Sequence, residues 1–515
     1  MKLTLIALVA FAAAPTAKAA APPPNIILMM ADDMGFSCIS PYGGEIHTPN
    51  LQRLADEGLR FTQFYNNAKC TTTRASLLSG MYPRNSGNSI PQNIATVGEQ
   101  MRAAGYRTAL CGKWHLGSVA PQRPFDRGFD EYYGLMDGCC NFFNPAQPDP
   151  DAKGGKVRVF GHNDELIKEF PPGYYTTDAF TDHAIKTIKR FTGESKPFFL
   201  HLAFTCPHYP LHAPAEDIAK YRGKYKAGWE AMRQARYERQ KAMGLWDNMP
   251  ALSGTDLKAY GWDGANQDWE DLRMATYAAM VDRMDQNIGR LLKTLDDLGI
   301  SDNTLIMFLS DNGGCTEEPG GRDATQQPGI VSTYTAVGPS WGWAQNTPFR
   351  RYKSWVNEGG ISTPFIVRWP GHVKAGTKTN QMGHIIDVLP TCLEVAAAKP
   401  LAEIHGEKTP PIEGHSLAPI LNGGKRPEPA EICWEWSGNC AVRHGEWKLV
   451  WDTEAKPVKW ELYDLANDRT ELNDLAAARP ELVKELSEAY IRWANATGRK
   501  LPGATKGKKK KSAEE

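Results

Sequence analysis

A cysteine and an arginine four residues apart are the first pair in this sequence that could do chemistry. Cys70 and Arg74 lie where a polar segment leads into an apolar run through Leu77, Leu78 and Met81. This change predicts a helix that begins near Cys70, whose free N–H groups and positive dipole end attract anions. A guanidinium there can bind two oxygens of a carboxylate-like or sulfate-like group. An isolated pair of this kind is more often a buried cysteine beside a surface helix, so the interpretation depends on the rest of the chain.

Two pairs of oxygen-bearing side chains follow continuous apolar runs. Asp32 and Asp33 follow one such run, and Asp311 and Asn312 follow another. A run that is apolar on both faces fits a central strand of a helix-covered parallel sheet, and ligands bind at the carboxyl edge of such sheets. A solvated turn would explain one pair, but the repetition favours a shared site. Carboxylate and amide oxygens are the ligands of a hard divalent cation.

Cationic and titratable side chains follow other predicted strands or a loop. Lys113 and His115 are flanked by glycines, His208 lies between two prolines, and Lys353 precedes a Glu-Gly-Gly segment. Lysines could neutralise an anionic substrate, and imidazoles could transfer protons. Each residue alone is weak evidence, since a single lysine is usually solvated. His212, which follows the same strand as His208, is left unassigned because a structural histidine is its simpler interpretation.

Alternating apolar runs and helical periodicities would position these side chains. The pattern predicts an α/β fold with a mostly parallel sheet. A segment at residues 216–265 is an insertion, either packed near the site mouth or a solvated helical flap. The predicted strands are 25–31, 59–65, 106–111, 197–204, 304–310 and 364–369, and the predicted helices are 48–58, 96–104, 179–191, 231–241, 271–298 and 384–398.

Composition and the chain ends indicate an exported protein. Lys plus Arg equals Asp plus Glu, at 59 each among 515 residues, so charge does not favour nucleic-acid binding. Residues 1–19 are predicted to be a secretory signal, and no later stretch approaches the ~20 apolar residues of a membrane span. We therefore predict a periplasmic or extracellular location. Of the ten cysteines, nine remain if Cys70 is catalytic, so at least one is a free thiol.

The chain divides into four predicted regions. These are the signal peptide at 1–19, a catalytic domain at 22–427, a smaller C-terminal domain of short strands and a helix at 428–500, and a lysine-rich, disordered tail at 501–515.

Several strings in the right order resemble the type I, formylglycine-dependent sulfatases, in particular a bacterial arylsulfatase-like branch. Cys70-x-x-x-Arg74 followed by Leu-Ser-Gly resembles the family signature, and Gly-Lys-Trp-His, Pro-His-x-Pro and Lys-x(4)-Glu-Gly-Gly resemble further family strings. The resemblance implies an alkaline-phosphatase-like fold with a small C-terminal antiparallel sheet plus helix. Thr72 departs from the Pro or Ala usual two residues after the cysteine, which leaves the maturation route open.

The resemblance also implies the chemistry of the site. A maturation enzyme would oxidise Cys70 to formylglycine, whose hydrate attacks the sulfur of a sulfate ester. His208 would help protonate the departing alcohol, and His115 would take the proton from the second hydroxyl. The residues implied to be catalytic are Cys70, Arg74, Lys113, His115, His208 and Lys353, and one Ca²⁺ would be held by Asp32, Asp33, Asp311, Asn312 and an oxygen of modified Cys70.

The expected activity is hydrolysis of a sulfuric ester on an extracellular small molecule or glycan, for example sulfated galactose of mucin-type chains. Tyr334, Trp341 and Trp343 either offer flat faces to a sugar ring or simply pack their loop. Two alternatives are a phosphodiester or phosphonate-ester hydrolase of the same superfamily, and a non-catalytic glycan-binding homologue with unmodified Cys70. The oligomeric state and the disulfide pattern are left open.

Overall fold

The computed structural model describes residues 22–84, 89–256, 258–429 and 431–503. The predicted signal peptide at 1–19 lies outside these residues, as does nearly all of the predicted tail. Among the described residues, none of the helices is both long and apolar enough to cross a bilayer. The ten cysteines are all buried free thiols, so the prediction of at least one free thiol is confirmed.

The described residues form eighteen strands, numbered in chain order. They are β1 (Asn25–Ala31), β2 (Leu59–Phe61), β3 (Phe64–Tyr65), β4 (Arg107–Gly112), β5 (Glu131–Leu135), β6 (Phe160–His162), β7 (Glu165–Leu166), β8 (Phe198–Ala203), β9 (Thr304–Ser310), β10 (Phe365–Arg368), β11 (Thr377–Thr379), β12 (Gly383–His384), β13 (Glu403–Ile404), β14 (Glu407–Lys408), β15 (Ile432–Trp436), β16 (Asn439–His444), β17 (Trp447–Trp451) and β18 (Trp460–Asp464).

The same residues form twelve α-helices. They are α1 (Pro49–Asp56), α2 (Cys70–Ser79), α3 (Val97–Ala103), α4 (Thr176–Gly193), α5 (Ala215–Ala219), α6 (Gly228–Ala242), α7 (Gln267–Asp297), α8 (Gly338–Ala344), α9 (Glu358–Ile361), α10 (Val388–Val395), α11 (Ala418–Leu421) and α12 (Pro480–Thr497).

A ten-stranded sheet forms the centre of the molecule. Its order is β11-β2-β10-β9-β1-β8-β4-β5-β6-β7. Strand β1 lies between β8 and β9 and is parallel to both, with Met30 opposite Ala203 on one side and Leu309 on the other. Because the three strands run the same way, the residues that follow β1, β8 and β9 meet at one edge of the sheet.

Helices cover both faces of this sheet. Alternate residues of β1 enter different cores: Ile27 and Met29 pack on the side of α4 and α7, and Ile26 and Leu28 on the side of α2 and α3. This two-sided burial is the reason that β1 is an uninterrupted apolar run. The prediction of a mostly parallel, helix-covered sheet is confirmed.

Strand β5 and helix α8 differ from the sequence-based expectation, and the insertion decides between its two alternatives. Strand β5 was not predicted, since its sequence Glu-Tyr-Tyr-Gly-Leu has no apolar run. Residues 338–344, expected to be loop because of their glycines and aromatic residues, form helix α8. The insertion at 216–265 is not a solvated flap, because Trp229 and Arg236 of α6 are fully buried.

A four-stranded antiparallel sheet, β15-β16-β17-β18, follows the central sheet, and α12 packs on one of its faces. The other face packs on Tyr65 and Ile361. A buried ion network ties the two sheets together, since Lys448 of β17 lies 2.9 Å from Glu358 of α9. The four strands and the helix occur where they were predicted, whereas the exact domain boundary at 427 and 428 stays a prediction.

Candidate active site

Two acidic pairs occupy the carboxyl edge of the central sheet. Asp32 and Asp33 follow β1, Asp311 and Asn312 follow β9, and each side chain is at most 1% exposed. The backbone N–H of Asp33 donates to Asp311 Oδ1 at 3.1 Å, and Asn312 Nδ2 donates to Asp33 Oδ1 at 2.7 Å. Asp33 also has a φ of 64°, a strained conformation for a non-glycine residue that is typical of functional sites. The four predicted ligands therefore lie together.

Three buried cations pair with the three carboxylates one to one. Lys113 Nζ lies 2.5 Å from Asp32 Oδ2, and Lys353 Nζ lies 2.7 Å from Asp33 Oδ2. Arg74 Nη2 donates to Asp311 Oδ2 at 2.8 Å. The cations come from α2, from the end of β4 and from the loop before α9, so the fold collects them from distant parts of the chain. Opposite charges balance in number, as burial of so many ions requires.

The pKa values of two of these carboxyls diverge. Burial and the charge of Asp311 raise the pKa of Asp32 well above its ordinary value, although Lys113 opposes the shift. Burial also opposes ionisation of Asp33, but His208 and Lys353 hold its pKa well below the ordinary value. A cation bound beside Asp32 would therefore favour the ionised form of its carboxyl.

Two buried oxygens indicate where a cation fits. Within the described part of the chain, Asp32 Oδ1 and Asn312 Oδ1 are buried without a hydrogen-bond partner. Such orphaned acceptors are costly unless something binds them. Ligand atoms of Asp32, Asp33 and His208 lie within 4.8 Å of one another. The predicted ligands Asp32, Asp33, Asp311 and Asn312 offer oxygen donors, and a carboxylate-rich oxygen set matches the preference of Ca²⁺.

Cys70 begins helix α2 and is 3% exposed, as predicted from the polar-to-apolar change. Arg74, one turn later, spans the site because its second terminal nitrogen donates to the carbonyl of Lys113 at 2.8 Å. Thr72 is fully buried, and its hydroxyl lies 2.9 Å from the carbonyl oxygens of Asn67 and Lys69. The departure from Pro or Ala is thus accommodated by hydrogen bonds to the backbone.

Two histidines reach the same site with different surroundings. His208 Nδ1 lies 2.6 Å from the carbonyl of Tyr209 and therefore donates to it, so that Nε2 faces Asp33 Oδ2 at 3.4 Å. Burial lowers the pKa of His208 to about 3, with Asp33 opposing the shift. Burial and the charges of Lys113 and Arg74 hold the pKa of His115 well below its ordinary value. A neutral imidazole of this kind can accept a proton.

Backbone geometry places the His115 ring. The residue has a φ of 61°, and its Nδ1 is buried without a hydrogen-bond partner among the described residues. A Cβ added to Gly138 would lie 2.6 Å from His115 Cε1. Gly138 therefore leaves just enough room for the imidazole.

Glu317 belongs to the site although the sequence did not single it out. Its carboxylate lies 2.7 Å from Lys69 Nζ and accepts a hydrogen bond from Tyr209 OH at 2.5 Å. Lys353 Nζ lies 3.9 Å from the same carboxylate. Glu317 lies in a Gly-rich loop, where the sequence contains no local pattern that distinguishes a glutamate of a functional site from a solvated glutamate.

A cavity of about 780 Å³ opens beside Lys353, between loops next to the candidate site and the C-terminal sheet. Its walls include Glu317 and the indoles of Trp355, Trp436 and Trp451. Lys69, which precedes Cys70, places its ammonium 6.0 Å from the centre of the Trp436 ring. The cavity, which we call the intersheet cleft, therefore brings Lys353 and Glu317 of the candidate site beside aromatic residues of the C-terminal sheet.

The suggestion that Trp341 and Trp343 stack on a sugar ring is wrong. They are 0% and 2% exposed, and Trp341 Nε1 donates to Glu270 Oε2 at 2.9 Å. Both pack the interior of the fold, because α8 lies beneath the insertion. Tyr334 is only partly buried and lies against Tyr209, with ring centres 6.0 Å apart, so its contact with substrate stays a prediction.

Comparison with known proteins gives consistent matches over most of the chain. Residues 24–398 match the sulfatase family model, and residues 349–492 match a model described as N-sulphoglucosamine sulphohydrolase, C-terminal. An uncharacterised sulfatase of Schizosaccharomyces pombe is 32% identical over 92% of this chain and 93% of its own length. The arylsulfatase of Klebsiella aerogenes is 32% identical over 79% of this chain and 94% of its own length.

A solved structure shares the fold as well. The crystal structure of Ps i-CgsB, in complex with k-i-k-neocarrahexaose, has a TM-score of 0.67 and 27% identity, covering 92% of this chain and 93% of that one. Together with the large mixed sheet and the small antiparallel sheet, this similarity shows the alkaline-phosphatase-like fold. The chain belongs to the type I sulfatase family and is a sulfuric ester hydrolase.

Proposed function

We propose that this sulfatase removes sulfate from an extracellular carbohydrate, with Cys70 as formylglycine and Ca²⁺ held by Asp32, Asp33, Asp311 and Asn312. The observation that carries the proposal is the one-to-one pairing of buried cations and carboxylates around two orphaned oxygens. An oxygen of the modified residue at position 70 would complete the ligand set. The predicted secretory signal would bring the enzyme to a periplasmic or extracellular substrate.

The charge balance of the site supports binding of a sulfate ester. With a divalent cation bound, the three carboxylates would no longer neutralise all the positive charge. Arg74, Lys113 and Lys353 would then be available to bind the oxygens of an anionic group. A bound Ca²⁺ would add positive charge that stabilises the transferring group, and a formylglycine hydrate would supply an oxygen nucleophile that regenerates the aldehyde on sulfate release.

The histidines supply the proton transfers in this proposal. His208 would first take up a proton from solvent at Nε2, which the negative charge of a bound sulfate ester would favour, and would then give it to the oxygen of the departing alcohol, since its Nδ1–H is held by the Tyr209 carbonyl. His115 would accept a proton at the site, and its lowered pKa keeps it neutral and ready to do so. The maturation enzyme that converts Cys70 is an implied partner.

The intersheet cleft supports a carbohydrate as the alcohol part of the substrate. A volume of about 780 Å³ lies within the range of ligand sites, roughly 300–1,000 Å³. Indole faces from Trp436 and Trp451 can pack against sugar rings, and Glu317 can accept hydrogen bonds from hydroxyls. A relative with the same fold has been solved with a bound oligosaccharide. Sulfated galactose of a mucin-type chain is our first choice of substrate.

An array of defined sulfated mono- and oligosaccharides, compared with an aryl sulfate, tests this proposal. We expect Trp436→Ala to reduce kcat/KM on the best saccharide by about tenfold or more and to leave aryl sulfate turnover within a few-fold. Trp447→Ala is the matched control, because Trp447 packs against the α12 side of the same sheet, outside the cleft. Turnover of aryl sulfates without release from any saccharide would refute the carbohydrate assignment.

A further inference from the structure

A second cluster of metal-ligating side chains lies away from the active site. His162 Nε2 and His183 Nε2 lie 2.8 and 2.7 Å from the same oxygen, Glu131 Oε1. The ligand atoms of all three residues are within 4.8 Å of one another. Glu131 is on β5, His162 on β6 and His183 on α4, so three separate elements converge on one point.

The cluster lies at the opposite edge of the sheet from the reactive residues. Glu131 is the first residue of β5, and β5 is parallel to β4, whose carboxyl end leads to Lys113. His162 is paired with Tyr133, the middle residue of the same strand. An ion bound here would therefore be independent of the Ca²⁺ proposed for the active site.

We propose that Glu131, His162 and His183 form a site for a divalent transition ion, with Zn²⁺ as the best match. Two imidazole nitrogens and one carboxylate oxygen are a known donor set for zinc, with water as the fourth ligand. His162 is exposed, with 45% of its side chain accessible, so the open position faces solvent. This set differs in kind from the all-oxygen set at the active site.

Neighbouring groups hold the three ligands in place. The Tyr133 ring stacks on the His183 ring at 4.7 Å with an interplanar angle of 11°. Arg190 binds Glu131 through the other carboxylate oxygen, Oε2, which leaves Oε1 for the ion. Fixed ligand orientation of this kind is what neighbouring groups give to metal sites.

An ion bound at this site would link strands β5 and β6, near the edge of the sheet, to helix α4. Strands β6 and β7 end the ten-stranded sheet, and edge strands have backbone groups paired on one side only. An ion that binds the folded cluster and not the unfolded chain would stabilise this edge in proportion to its concentration.

Co²⁺ and Zn²⁺ titrations of the full chain, with excess Ca²⁺ present throughout, test the proposal. We expect one equivalent of Co²⁺ to give the visible bands of a low-coordinate complex, Zn²⁺ to displace it, and Zn²⁺ to raise Tm. His183→Gln and His162→Gln should each weaken Zn²⁺ binding by tenfold or more and abolish the Tm rise. His444→Gln is the matched control, since His444 is an exposed histidine on β16 and its loss should change neither readout.

Equal Zn²⁺ affinity in the wild type and in both histidine variants, or no Tm response in the folded wild type, would overturn the proposal. Binding that disappears in Asp32→Ala and persists in the histidine variants would place the ion at the active site and overturn it as well.

Discussion

The buried pair between Arg74 and Asp311 allows a quantitative test of the active-site model. Asp311→Asn keeps the shape of the side chain but removes its charge. Arg74 Nη2 then loses a carboxylate at 2.8 Å and retains only Asp32 at 3.9 Å. Because Arg74 is 1% exposed, water cannot replace the lost partner.

The expected cost follows from this geometry. Breaking a buried ion pair by removing one partner costs roughly 3–5 kcal/mol, and we expect about 3 kcal/mol because Asp32 remains nearby. For 515 residues, unfolding entropy near 2.1 cal/mol/K per residue gives about 1 kcal/mol/K, so Tm should fall by about 3 °C. The measurement is thermal unfolding in a chelator, where bound metal does not contribute.

The same variant should lose its cation and its activity. Asp311 is one of the proposed ligands, so we expect elemental analysis to find less Ca²⁺ and the rate per folded molecule to fall by 10²-fold or more. Asp387→Asn is the matched control, because Asp387 is also buried and lies 2.7 Å from the buried Arg426. This control should lose similar stability and keep its Ca²⁺ and its rate. Full activity of Asp311→Asn, or equal rate losses in both variants, would refute the reasoning.

Three further predictions concern separate features. Mass spectrometry of active protein should find formylglycine at Cys70, and Cys70→Ala should abolish turnover while unfolding as the wild type does. Gly138→Ala should lower kcat by about 10²-fold, because the new Cβ would lie 2.6 Å from the His115 ring, whereas Gly193→Ala, which meets nothing within 4 Å, should have no effect. Burial opposes ionisation of Glu131, yet its histidine partners lower its pKa from 4.5 to about 2. The wild type should therefore be more stable than Glu131→Gln in urea unfolding above pH 4.5, and this difference in stability should shrink as the pH falls from 4.5 toward 2.

Each of these three has an outcome that would contradict it. Intact thiol at Cys70 in fully active protein would refute the nucleophile. An unchanged kcat in Gly138→Ala would show that the imidazole position does not matter. A pH-independent difference between wild type and Glu131→Gln, measured in a chelator, would show that the carboxylate gains nothing from its partners.

Much of the framework could be predicted because its signals are local. Strands β1 and β9 are buried on both faces, so each is a continuous apolar run, and the oxygen ligands begin where the run ends. The periodicity of α7 predicted a helix at 271–298, and the helix observed spans Gln267–Asp297. The two acidic pairs could be chosen for the same reason, since they follow such strands directly, whereas the roles of the lysines and histidines were implied by the resemblance to family strings.

Other features depend on contacts between distant segments and left no local pattern. Strand β5 has a mixed sequence and is defined by its parallel partner β4. Trp341 and Trp436 have the same side chain, yet one is sealed beneath the insertion and the other lines the intersheet cleft. Sequence spacing cannot separate them, because exposure is decided by what packs on top.

The pairing of charges shows most clearly which features the sequence determines and which the tertiary structure determines. The amino-acid sequence by itself determined which ionisable residues follow the strands, since strand ends are marked by a change from apolar to polar character. Only the tertiary structure decided that Lys113 lies against Asp32 and Lys353 against Asp33, and that Asp32 Oδ1 is left without a partner. The physical reason is that ion pairs act over a few ångströms. The order of the strands within the sheet, which differs from their order along the chain, sets which side chains come that close.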